Sequence, residues 1–141
     1  MQVKTLDRTE VGVTTIASFA GLCALVSVYT RDGQPICVDM PFHWNGTELV
    51  ICSIGAASWR NHEAAPIDVS LAAEGIRFQF SGNGSSDEVG GIAPEYRAQL
   101  VTHFGPEKGN QAADESGPTA RTSRLFVTPH WDSQDPGDAD R

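Results

Sequence analysis

"TRDGQPICVDMPFHWNGTELVICS", residues 30–53, decides how this chain folds. Two pairs of turn residues, Asp32-Gly33 and Asn45-Gly46, stand on either side of an alternating run. Asp-Gly and Asn-Gly accept the positive φ that tight hairpin loops demand, so each pair marks a reversal of the chain. In "ICVDMPFHW" (36–44), strand spacing puts Ile36, Val38, Met40, Phe42 and Trp44 on one face and Cys37, Asp39, Pro41 and His43 on the other. The β-branched, apolar "LCALVSVY" (22–29) precedes this run and "TELVICS" (47–53) follows it. Two consecutive hairpins predict an antiparallel meander.

The flanks extend the same reading. Residues 6–18 are weakly helical, because Val11, Gly12, Val13, Thr14 and Thr15 are poor helix formers. After Gly55, residues 56–64 predict a short helix ended by Pro66. "IDVSLAA" (67–73), a Glu74-Gly75 turn and "IRFQFSG" (76–82) predict another hairpin. Gly82-Asn83-Gly84 reads as a strand end with a permissive backbone, and "SSDE" (85–88) resembles a helix capping box. A helix is expected from Pro94 to Phe104, with Pro in its first turn and Gly105 just past its end. Polar, breaker-rich 105–120 reads as a mobile loop and "RTSRLFVT" (121–128) as a last strand. The expected organisation is a single domain over residues 1–131 and a disordered acidic tail over 132–141. About six strands joined by tight turns fit a mainly β, antiparallel barrel with two or three short helices. The strands follow one another too closely for the crossovers of a parallel sheet.

Composition narrows the function. A formal charge of -8, with no basic cluster, argues against a nucleic-acid partner. "IASFAGLCALVSVY" is apolar but too short to span a bilayer, and the N-terminus lacks the apolar core of a signal peptide. A cytoplasmic protein with no membrane partner is therefore expected. Cys23, Cys37 and Cys52 are an odd count with no CxxC pair, which suits reduced thiols. His43, His62, His103 and His130 are scattered and match no zinc spacing, so no metal is expected. Neither a GxSxG elbow nor a P-loop occurs.

What remains is "SIGAASWRNH" (53–62), where a buried strand hands over to a helix. Amides at a helix start near Ala56 would point outward on the positive end of the dipole. Gly55, Ala56 and Ala57 leave room for a ligand, Ser58 offers a hydroxyl, and Arg60 can fork onto a phosphate. The plainer alternative is an N-terminus capped by Ser53 or Ser58, with Arg60 in solvent. On local features alone the plainer alternative is favoured.

The ordered set of residues over about 30–82 resembles the split-barrel flavin-binding superfamily, the pyridoxamine 5'-phosphate oxidase-like and flavin/deazaflavin oxidoreductase group. The similarity rests on Asp32-Gly33 and Pro35, Phe42, Trp44 and Gly46, Ser53, Arg60-Asn61, and Pro66 with Val69 and Leu71. "IRFQFSGNG" and "RTSRLFVTPHW" are similar to later strands of the family. The resemblance implies a six-stranded split barrel, a homodimer and an FMN-dependent oxidoreductase acting on a small-molecule substrate. It implies that Ser53, Ser58, Arg60 and Asn61 hold the flavin phosphate, and that the ring lies along Asp39, Met40, Pro41, Phe42 and His43. Trp59 either stacks on the ring or packs. Two departures bear on this. Ser58 stands where the family has Lys, and Asp39 would oppose an electron-rich reduced flavin. F420, haem or no cofactor, and a non-catalytic ligand-binding barrel, are the alternatives.

Overall fold

All three turn signals become hairpins in the computed structural model, which describes residues 8–55, 57, 59, 65–117 and 119–131. Strand β1 (Leu25–Thr30) pairs antiparallel with β2 (Pro35–Met40), β3 (His43–Trp44) with β4 (Leu49–Ile54), and β5 (Pro66–Ala73) with β6 (Ile76–Gly90). At the β5–β6 turn both Glu74 and Gly75 take positive φ, 53° and 79°, the pattern that matches the twist of the strands it joins. The last strand, β7 (Arg121–Pro129), lies between β6 and β4.

The sheet order is β2-β1-β5-β6-β7-β4-β3, all antiparallel. Its two ends, β2 and β3, are consecutive pieces of one stretch, broken at Pro41 and Phe42. Proline has no N–H to give to a ladder, so pairing stops there. The sheet therefore curls round so that its edges belong to one broken strand, and six strand positions form a split barrel. Val26, Val28, Leu49, Ile51, Ile67, Val69, Leu71, Leu125 and Val127 fill the interior, none more than 1% exposed.

The alternation expected over residues 36–44 fails at two points. Tyr29 pairs with Pro35, Val28 with Cys37 and Val26 with Met40, so β2 carries one extra residue at Ile36 and a second between Cys37 and Met40. Asp39 takes φ 52° in the second bulge, and its N–H donates to Ser27 Oγ at 3.0 Å. With these two shifts Ile36 and its neighbour Cys37 are both buried in the core with Phe42, while Val38 is left 49% exposed.

Two other expectations are corrected. Strand β6 does not end at Gly82 but runs to Gly90, so "SSDE" is strand rather than a helix cap. Gly82 is there because β7 crosses too closely for a side chain: a Cβ would stand 2.6 Å from the Thr128 carbonyl oxygen. Asp87 faces Arg124 of β7 and accepts two bonds from it, at 2.8 and 2.6 Å. The region expected as a mobile loop contains helix α3 (Pro106–Asp114), packed on α2 (Pro94–Phe104). The weakly helical N-terminal stretch forms α1 (Arg8–Gly21).

Tertiary contact explains α1 where propensity does not. Ile16 and Phe19 enter the core. Gly12 lies flat under the indole of Trp131, where a Cβ would come within 2.7 Å of the ring. Phe19, Phe78, Phe80 and Trp131 form a chain of ring contacts with centroids 5.4–6.4 Å apart. Of the helix expected over 56–64 only residues 57 and 59 are described, and the tail 132–141 lies outside the described residues. Among the described residues no helix is long and apolar enough to cross a membrane.

Candidate functional site

The split opens beside β4. Strand β3 covers only Leu49 and Val50, so the backbone beyond them has no strand neighbour on that side. Helix α2 fills the gap with one side chain. Gln99, 2% exposed, accepts from the Cys52 N–H at 2.9 Å and donates to the Cys52 carbonyl at 3.0 Å. An amide carries one donor and one acceptor in nearly the spacing of a peptide group, so it stands in for the missing strand. Thr122 fixes the start of α2, accepting from the Ala93 N–H at 3.0 Å and donating to the Gly91 carbonyl at 2.7 Å. Arg124 adds a bond to Glu95 at 3.0 Å.

Held in this way, β4 delivers Ser53, Ile54 and Gly55 to the barrel end. Gly55 takes φ 91°, a value that favours glycine. Both of its backbone groups are pinned by β7: its N–H donates to the Arg121 carbonyl at 2.9 Å, and its carbonyl accepts from Ser123 Oγ at 2.5 Å. Ser53 is half-buried. Trp59, 3% exposed, packs into the main core, and its indole N–H is buried with no hydrogen-bond partner among the described residues. Most buried donors in proteins are paired, so this one requires an explanation.

The structure divides the residues expected at the ring wall. Phe42 is buried in the core and Met40 packs against it. Pro41 and His43 are half-buried and Asp39 is exposed. His43 pairs with Val50, from which Ser53 is three residues, about 10 Å, farther along β4. Ser58, Arg60 and Asn61 lie outside the described residues. Sequence reasoning missed Gln99. A lone polar residue among Leu100, Val101 and Tyr96 on a helix was its one signal.

The thiols separate by environment. Burial pushes Cys37 and Cys52 up to about 12, with the Glu95 carboxylate adding to the effect at Cys52. Cys23 is exposed and donates to the Thr102 carbonyl at 3.2 Å. At pH 8 the native protein should therefore release colour from a disulfide reagent with one equivalent of thiol. The other two should react only in denaturant. Three fast thiols in the native state would contradict the burial of Cys37 and Cys52. Among the described residues no group of three or more His, Cys, Asp or Glu could hold a metal ion.

No protein-family model matches the sequence, and no curated protein matches it. Solved structures do share its fold. An F420 reductase superposes with a TM-score of 0.53 at 19% identity, over 80% of this chain and 91% of that one. The conserved hypothetical protein Rv2991 from Mycobacterium tuberculosis gives 0.51 at 14% identity, over 94% of this chain and 90% of that one. HutZ, the haem storage protein from Vibrio cholerae, aligns more loosely, at 0.48 and 12% identity over 83% and 89%.

Proposed function

We propose that this split barrel binds a flavin-type cofactor, FMN before F420, and uses it to oxidise or reduce a small molecule. Its phosphate would sit at the 53–61 corner and its ring beside residues 39–43. The orphaned indole N–H of Trp59 carries the reading. A buried donor without an acceptor costs about 1–3 kcal/mol, and an oxygen of a bound ligand removes that cost. Ser53 and the Gly55 turn stand at the same strand end, and Ser58, Arg60 and Asn61 supply a hydroxyl, a guanidinium and an amide in the sequence around Trp59. These groups suit a phosphate monoester. An F420 reductase with the same fold supports the cofactor class. FMN is preferred because a chain of charge -8 disfavours the acidic tail of F420. The bound cofactor supplies the redox chemistry, and the chain supplies binding and orientation. A second copy would border the substrate pocket.

The purified protein, titrated with FMN and with F420, should retain one of them and show its visible absorption bands. Arg60→Ala should weaken FMN binding by about 1–3 kcal/mol, and Trp59→Phe, which keeps a ring and removes the donor, by about 1 kcal/mol. A colourless protein that retains neither would sink the redox reading. It would favour a non-catalytic ligand-binding barrel, the second reading, which Ser58 in place of a lysine and the exposed Asp39 both support.

A further inference from the structure

On the outer surface of the barrel, away from the β4 corner, β1, β5 and β6 form a groove of about 350 Å³. Register explains its lining. Tyr29, Asp68 and Ser81 stand opposite one another across the three strands, and two residues along, Ser27, Ser70 and Gln79 form the next row on the same face. Five of these six residues line the groove, together with Val69 and Phe80, which stand between the two rows. A polar row of this density on a sheet is usually tied up internally. Here much of it is not.

Asp68 uses one oxygen, Oδ1, for both of its contacts: Ser81 Oγ at 2.9 Å and Arg31 Nε at 3.6 Å. Its second oxygen has no bond among the described residues. Ser70, 4% exposed, accepts from Arg77 Nη1 at 2.9 Å, which leaves its own hydrogen to donate. The Tyr29 hydroxyl and the Gln79 amide make no hydrogen bond among the described residues. The groove thus presents a carboxylate oxygen, an amide that both donates and accepts, and hydroxyls, around an aromatic ring.

Charge selects among possible ligands. A cation drawn to Asp68 would face Arg31 and Arg77, which flank the groove. An anion drawn to those guanidiniums would face Asp68 in the lining itself. A neutral molecule with adjacent hydroxyls meets neither penalty. It can donate to the free Asp68 oxygen, exchange bonds with Gln79 and Ser70, and lay its C–H face on Tyr29. The volume sits at the lower end of the range for ligand pockets, the size of a single sugar ring rather than a nucleotide. We infer that this groove is a second binding site, for a neutral polyhydroxylated ligand such as a monosaccharide or a polyol. It stands whether or not the β4 corner holds a flavin.

The test is a titration of the ¹⁵N-labelled full chain with D-glucose, D-ribose and ribitol, with sodium acetate and ethylammonium chloride as charged controls. Saturable shifts centred on the amides of residues 68–70 and 79–81 are expected for at least one of the three neutral probes. Gln79→Ala, at an exposed position, and Asp68→Asn, which still accepts from Ser81, should each weaken that binding about tenfold. Neither should move the urea midpoint appreciably. Tyr29→Phe separates the hydroxyl from the ring and should give a smaller loss. The proposal is overturned if no neutral probe saturates these amides up to ~100 mM. It is equally overturned if acetate or ethylammonium binds more tightly, or if Gln79→Ala and Asp68→Asn leave the shifts unchanged.

Discussion

Gln99→Leu is expected to cost about 3 kcal/mol of folding stability, because it strands two buried backbone groups at once. Leucine matches glutamine closely in volume, so packing is largely retained and the loss isolates hydrogen bonding. Cys52 would keep an N–H and a carbonyl in a site where Gln99 itself is only 2% exposed. No strand can take over, since β3 reaches no farther along β4 than Val50 and β2 is on the far side of the Pro41 break. Urea unfolding should show a lower midpoint with an unchanged slope. Gln99→Glu should do no better, because it keeps an acceptor for the N–H but faces the Cys52 carbonyl with charge. A loss under about 0.5 kcal/mol would mean that water enters the split and that this edge of the barrel is wet.

Gly109→Ala should also destabilise, against the direction that helix propensity dictates. In an isolated helix the change gains about 1 kcal/mol. In α3 the new methyl would stand 2.5 Å from Val101 Cα, 2.6 Å from Val101 N and 2.7 Å from the Leu100 carbonyl carbon. All three are backbone atoms of α2, and backbone has no rotamer with which to move aside. The helices must separate, which strains the bonds from Arg97 to Asn110 and Asp114, each 2.7 Å. A net loss of about 2 kcal/mol is expected from such overpacking. Hydrogen exchange should show faster amides in α3 while those of β5 and β6 keep their protection. A stabilised Gly109→Ala variant would show that α3 does not pack on α2 in solution.

These two residues also mark where the sequence is hard to read. The meander over 30–53 was legible because Asp32-Gly33 and Asn45-Gly46 act through their own backbone preferences, which need no partner. Gly82 and Gly109 carry the opposite message from the usual one. Each looks like a breaker, yet each sits inside an element because another backbone lies against it. The Asp39 bulge is similar in kind: nothing in "CVDMP" signals the extra residue, which is held by Ser27 on the neighbouring strand. At the corner, residue types such as Ser53, Arg60 and Asn61 raise the phosphate proposal by themselves. That the Trp59 N–H is unpaired among the described residues was not legible, since it depends on what surrounds the indole.

The place of β7 between β6 and β4 has a consequence for synthesis on the ribosome. Its pairs join Leu49 to Val127 and Ile54 to Thr122, so β4 waits for about seventy more residues to be made before gaining that neighbour. Until then both β4 and the far half of β6 present bare edges, and such edges invite pairing with other nascent chains. Contacts this distant in sequence also slow folding, because the loop must close before any bond rewards it. A chain released before residue 121 should accordingly be lost to aggregation or proteolysis, whatever the quality of the meander it has already made.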